Sequence, residues 1–259
     1  MNRILCFIAT LALCSCSVKE NRTGCPCELL IRPEAPLKTE GNVLVSVVQD
    51  GVVVKQGMLD KEDFEGGKCL LTVPRRPSTV TVFSGIKEMN ALNGRKLDIT
   101  YDNQCDELYT CSGKALPDAD TYEYVAGMHK NYVRIHLRIL GMPEYGSIAI
   151  RGGVRGYDLV DALPYEGIFN YIPEPVDASW TYNVKIPRQL GDCLKMNVVL
   201  RGKIVRTVPL GQLIASLGYS YDEDDLLDIT MTIDLDKSYA FMAVDDWGEA
   251  FSSQIDFGT

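Results

Sequence analysis

The sequence predicts an all-β protein built from β-sandwiches. Three observations predict it. Short β-branched and apolar runs recur along the chain, with turn residues about every 8–12 positions. Several runs alternate apolar and polar residues with the period-two repeat of a half-buried strand. Only one segment has a convincing helical repeat. The chain has 259 residues and 46% hydrophobic content, enough for one large or two small globular domains.

The first strong β signal is Val43-Leu44-Val45-Ser46-Val47-Val48, followed by Asp50-Gly51 and then Val52-Val53-Val54. Asp-Gly between two such runs predicts a hairpin with a type I′ turn, which needs positive φ at both central positions. Further strands are expected at 70–73, 79–83 and 97–101, punctuated by Pro74, Pro77 and several glycines. Residues 102–120 are polar and are expected to form a long loop. A last strand of this half is expected at 122–126.

The chain then restarts between Gly127 and Asn131. From Tyr132 to Leu140, Val133, Ile135, Leu137 and Ile139 alternate with Arg134, His136 and Arg138. That pattern places the apolar set on a core and the basic set toward solvent. Strands follow at 147–151, 180–186, 196–200 and 204–208, the last two joined through Gly202. Leu210 to Leu217 has apolar residues at three- and four-residue spacing, with Gly218 placed to cap it, and is the expected helix. Strands at 229–235, 239–244 and 254–257 complete the set. About 115 residues on each side of the restart is a normal sandwich size. The expected organisation is a leader over 1–15, a tether over 16–27, an N-terminal sandwich over 28–127 and a C-terminal sandwich over 128–259.

The leader is a basic start, Met1-Asn2-Arg3, followed by a short apolar run from Ile4 to Leu13. This run is too short for a membrane span, which needs roughly 20 apolar residues. It fits an export signal. It ends in Leu13-Cys14-Ser15-Cys16, which resembles a bacterial lipobox. That resemblance implies cleavage before Cys16, lipid on its sulfur, and Cys16 as the new N-terminus. Residues 17–24 are polar without period and suit a flexible tether.

Formal net charge is −9, and loss of Arg3 with the leader takes it to about −10. Such a chain repels phosphates, so nucleic acid is not an expected partner. Of nine cysteines, Cys25, Cys27, Cys69, Cys105, Cys111 and Cys193 remain after the lipobox. An even set in an exported chain suits disulfides. Cys105 and Cys111, which bracket a short polar stretch, are the candidate pair, with buried free thiols as the equal alternative. Cys25-Pro26-Cys27 has no second Cys or His pair at metal-ligand spacing.

No G-x-S-x-G elbow, H-E-x-x-H or P-loop is present, and no enzyme activity is expected. His129 falls in the junction and His136 on a polar strand face. Arg151-Gly152-Gly153-Val154-Arg155-Gly156 precedes no helix that could present an N-terminus to phosphate, and a β-turn is expected there. Tyr221-Asp222-Glu223-Asp224-Asp225 lacks the ligand ladder of an EF-hand and is expected to be a solvated acidic turn. No cofactor or metal is implied.

Taken together, the lipobox, the polar tether and Cys25-Pro26 leading into the first apolar run resemble the FimB-type fimbrial anchor family of type V pili. The second half carries more of the likeness. It includes Tyr132–Leu140 with Gly141, Arg155-Gly156-Tyr157-Asp158, the helix from Leu210 toward Tyr219, Asp228 to Asp234, and Val244-Asp245-Asp246-Trp247. The resemblance implies two tandem transthyretin-like sandwiches, the second carrying the helix, held to the outer membrane by lipid on Cys16. It also implies pilin subunits as partners, joined by strand exchange, and a place in the fimbrium at the cell surface. A surface lipoprotein that captures glycans or other ligands is the competing expectation. Tyr157, Tyr165, Phe169, Tyr171 and Trp180 are its candidate contact residues.

Overall fold

A computed structural model describes residues 21–244 and 250–254. Cys16, Asp245-Asp246-Trp247 and all but the first residue of the strand expected at 254–257 lie outside the described residues. The described chain is all-β, with nineteen strands and two short helices. In chain order the strands of the first part are β1 (Pro26–Pro33), β2 (Asn42–Gln49), β3 (Val52–Leu59), β4 (Leu70–Pro74), β5 (Ser78–Ile86), β6 (Asn90–Asn93), β7 (Lys96–Ile99), β8 (Tyr109–Ala115), β9 (Thr121–Ala126) and β10 (His129–Lys130). The second part holds β11 (Tyr132–Leu140), β12 (Gly146–Asp158), β13 (Pro164–Tyr171), β14 (Thr181–Pro187), β15 (Lys195–Leu200), β16 (Lys203–Val208), β17 (Ile229–Asp234), β18 (Tyr239–Val244) and β19 (Ala250–Gln254). Helix α1 spans Lys61–Glu65 and α2 spans Leu210–Ser216.

Four sheets pair into two sandwiches. The first packs the sheet β4-β1-β9 on the sheet β10-β8-β5-β2-β3. Its core joins Cys27, Leu29 and Ile31 of β1 to Val43, Val45 and Val47 of β2 and Val80 and Val82 of β5, with Phe64 of α1 inserted. The second packs β14-β11-β17-β18-β19 on β16-β15-β12-β7-β6, and β13 also pairs with β12. Val133, Ile135, Leu137 and Ile139 all face this core, as the alternation of β11 predicts. Leu210, Leu213 and Ile214 turn one face of α2 onto it.

The turn residues act as expected. Asp50 and Gly51 have φ of 51° and 74°, the two positive values that a type I′ hairpin requires. Arg201 and Gly202, at 50° and 76°, close the β15–β16 hairpin in the same way.

Four expectations are corrected. Residues 102–120 are not one loop, because β8 runs through them and pairs with β5. Its Ser, Gly and Lys residues carry little strand propensity, yet a side chain on Gly113 would collide with the Tyr124 hydroxyl, so the packing demands glycine there. Residues 151–156 form the middle of β12, not a turn, with two register shifts at Gly152, Val154 and Gly156. Glycine is used there because neighbouring backbone and side chains approach closely. The tether does not reach residue 27, since β1 begins at Pro26 and Cys27 is fully buried. The Cys105–Cys111 disulfide is not formed, and both residues are free thiols. Cys105 points into the second sandwich's core and Cys111 into the first, so the stretch between them carries its two thiols apart.

The sheets also cross the expected 127/128 junction. The hairpin β6–β7 adds to β12 of the second sandwich through Lys96, Leu97 and Asp98. In the other direction, β10 adds to β8 of the first.

Candidate functional site

In a chain of sandwiches without catalytic motifs, the chemistry lies in backbone groups at open sheet edges and in what holds those edges in place. An edge strand presents unpaired N–H and C=O groups and can template another strand. β3 is such an edge: among the described residues it pairs with β2 alone. It is eight residues long, and Val52, Val54 and Met58 on it are exposed, at 59%, 36% and 47%. Lys55 is its only charged residue. The edge strand β16 also exposes Ile204 and Val205, but it carries Lys203 and Arg206, and Arg206 reaches across to the Leu235 carbonyl. Charged residues of that kind discourage edge pairing. Of these two edges, β3, with Lys55 alone, has less of that protection.

The sheet that carries β3 is fixed to the second sandwich by a small apolar junction. Leu44, Phe83 and Ile86 of the first sandwich meet Leu97, Tyr157, Leu159 and Ala162. This explains why β2 reads as a continuous apolar run rather than an alternating one: both its faces are covered. Tyr157 is fully buried with its ring 6.2 Å from that of Phe83. Its hydroxyl donates to the Asn131 carbonyl at 2.6 Å and accepts from the Arg188 N–H at 3.2 Å. Burial pushes the Tyr157 phenol well above its usual range, so it stays a donor.

Arg188 continues the junction. It donates to Asn131 Oδ1, to the Glu223 and Asp224 carbonyls at 2.7 and 2.9 Å, and to the Tyr221 carbonyl. The acidic segment 221–225 is thus held by its backbone, while most of its carboxylates face water. Asp225 accepts the Lys130 N–H at 2.6 Å and lies 3.3 Å from His129 Nδ1. Burial raises its pKa, but those two contacts outweigh it and hold the carboxyl below its usual range. His136 stays on the solvent face of β11, its Nδ1 2.7 Å from Asn183 Oδ1. Among the described residues no three His, Cys, Asp or Glu side chains gather to hold a metal ion.

The aromatic residues expected to serve a glycan are largely spoken for. Tyr157 and Phe169 are buried. Tyr171 and Trp180 pack on the second core. The Tyr165 hydroxyl bonds Asp98, and its ring lies under Lys96 Nζ at 3.7 Å. Among the described residues the exposed aromatics are others: Phe241 on β18, and Tyr101 and Tyr145, whose turn positions give no periodic signal.

No protein-family model matches the chain, and no curated protein matches it in sequence. Solved structures do match. A Bacteroides thetaiotaomicron structure described in terms of polysaccharide binding aligns with a TM-score of 0.64 over 88% of this chain and 98% of that one, at 12% identity. The fimbrial anchor protein Mfa2 from Porphyromonas gingivalis aligns with a TM-score of 0.61 over 86% and 98%, also at 12% identity. A protein described as an adhesin from Bacteroides thetaiotaomicron aligns with a TM-score of 0.56 over 90% and 98%, at 13% identity.

The chain shares their fold. It spans nearly the whole of each, so the likeness covers both sandwiches and not one of them. The names these similar structures carry are those of polysaccharide-binding, adhesion and fimbrial proteins.

Proposed function

We propose that this chain is an outer-membrane lipoprotein, tethered through lipid on Cys16, that serves as a fimbrial anchor or accessory subunit and joins pilin subunits by β-strand exchange. The observation that carries the reading is the open β3 edge on a sandwich pair of the same fold as a fimbrial anchor and an adhesin. Strand addition draws its affinity from main-chain hydrogen bonds and its specificity from pockets for alternate side chains. An eight-residue edge supplies the main-chain groups, and exposed Val52, Val54 and Met58 give it an apolar face for the added strand. The lipobox at Leu13-Cys14-Ser15-Cys16 supplies the attachment.

The direct test is capture of pilin by the mature, folded protein. Capture is expected, and its absence with folded protein would overturn the reading. Replacing Cys16 by Ala is expected to release the protein from membranes into the soluble fraction.

A further inference from the structure

Among the described residues, the three most exposed large apolar side chains are Tyr101 at 82%, Ile168 at 79% and Tyr145 at 78%. The first two border one cleft. Burial in water-free surroundings is the usual fate of such side chains, and a close pair of them beside polar groups marks a contact surface. The cleft encloses about 220 Å³ between the turn that follows β7 and the strands β12 and β13. Tyr101, Asp102 and Asn103 line one side, and Arg155, Ile168 and Asn170 the other.

Its polar groups are arranged before any ligand arrives. Arg151 Nε donates to Asn170 Oδ1 at 3.1 Å, and Asn170 Nδ2 donates to Asp102 Oδ1 at 2.6 Å. Asn103 Nδ2 donates to Thr100 Oγ1 at 2.9 Å. Those bonds fix the orientation of both amides and the carboxylate. Among the described residues neither Asp102 Oδ2 nor Asn103 Oδ1 has a partner, so two acceptors stay free in the cleft. Asp102 adopts φ of 58°, a left-handed conformation uncommon outside glycine, and this turn places its carboxylate beside Asn170. Arg155, with its nearest carboxylate at 3.7 Å on Asp98, adds a donor.

We infer that this cleft is a binding site for a neutral saccharide unit of an oligosaccharide. A sugar ring offers an apolar C–H face, which suits the Tyr101 ring and Ile168. It also offers hydroxyls that both donate and accept, which suit the free acceptors of Asp102 and Asn103 and the Arg155 guanidinium. Asp102 and Arg155 carry opposite charges, so the cleft favours neither an anion nor a cation. An apolar peptide segment fits worse, because it would bury those polar groups without partners. Of the five aromatics the sequence suggested, Phe169 alone lines the cleft, and it is buried, so the exposed apolar contacts come from Tyr101 and Ile168. The site does not rest on strand exchange, since β3 contributes nothing to it.

The test uses the mature protein titrated with maltohexaose, mannohexaose, xylohexaose and N-acetylchitohexaose, followed by calorimetry and two-dimensional NMR. At least one is expected to bind and to shift the amide signals of residues 100–103 and 168–170. Tyr101→Ala and Ile168→Ala, both at exposed positions, are each expected to lower that affinity by about tenfold or more with unchanged thermal unfolding. Tyr145→Ala is expected to leave it unchanged. No binding by any of the four at millimolar concentration overturns the proposal. So does binding that is indifferent to Tyr101→Ala and Ile168→Ala.

Discussion

Glu107 shows how much a single buried-edge carboxylate can organise. It sits between Arg134, whose Nη2 is 2.7 Å away, and Lys185 Nζ at 3.5 Å. Arg134 and Lys185 are directly opposite in register on β11 and β14, so without Glu107 two like charges would face each other. Burial raises the Glu107 pKa, but the Arg134 hydrogen bond and the two cations outweigh it and hold the acid below its usual value of 4.5. A depressed carboxylate stabilises the fold above its unfolded pKa, and that contribution is lost as pH falls through the lower folded value. Glu107→Gln is therefore expected to cost about 1 kcal/mol at pH 7, discounted for partial solvent exposure, and less at pH 3. Urea unfolding at the two pH values checks this, and an equal cost at both would contradict it. The cysteines carry a second residue-scale expectation. Burial raises the Cys27, Cys105 and Cys111 thiols and pushes Cys69 up to about 11. In the native protein a thiol reagent is expected to modify exposed Cys193 first, and the four buried thiols only on unfolding. Protection of Cys111 that persists in denaturant, and is lifted only by reductant, would restore the disulfide.

At the scale of elements, what could be read in the sequence follows from which faces each strand buries. β11 has one wet face, so its alternation is legible and its bounds, 132–140, match the expected ones. The two type I′ hairpins announced themselves through Asp50-Gly51 and Gly202. β8 did not, because Ser112, Gly113 and Lys114 in its middle leave no periodic apolar signal. The same holds for the glycines of β12. A Cβ on Gly156 would come within 2.2 Å of the Leu97 carbonyl oxygen and 2.9 Å of the Asp98 Cα, both backbone atoms of β7. Gly156→Ala is thus expected to force β7 off β12 and destabilise by about 3 kcal/mol, measured by chemical denaturation. A near-neutral change would mean that β7 is not held as described. On the β3 edge the expectation is reversed. Val54→Lys and Met58→Lys alter exposed positions, so stability is expected to change by about 0.5 kcal/mol or less, while pilin capture falls. Unchanged capture would move the candidate edge elsewhere. The saccharide cleft was illegible for another reason: Tyr101 and Ile168 are 67 positions apart, and only the pairing of β12 with both β7 and β13 brings them together.

Across the whole molecule, the junction matters more than the boundary. Residues 90–99 precede the restart in sequence but belong to the second sandwich's sheet, and β10 follows it but belongs to the first. Between them Tyr157 ties Asn131 and Arg188 to the apolar cluster around Phe83 and Leu44. In the proposed anchor role, load would pass from one sandwich to the other, and shared strands with a buried tyrosine resist it better than a flexible linker. Two consequences follow. The full chain is expected to melt in one transition, because neither sandwich completes its sheets without the other's strands. A fragment beginning at residue 128 would lack β6 and β7 and leave Tyr157 and Leu159 uncovered, so it is expected to melt lower than the full chain and to associate. Tyr157→Phe keeps the ring and removes the hydroxyl, which leaves the Arg188 N–H and the Asn131 carbonyl with only their 3.3 Å bond to each other. It is expected to cost about 1 kcal/mol while preserving the single transition. Two separate transitions in the parent protein by differential scanning calorimetry would show that the sandwiches are thermodynamically independent despite their shared strands.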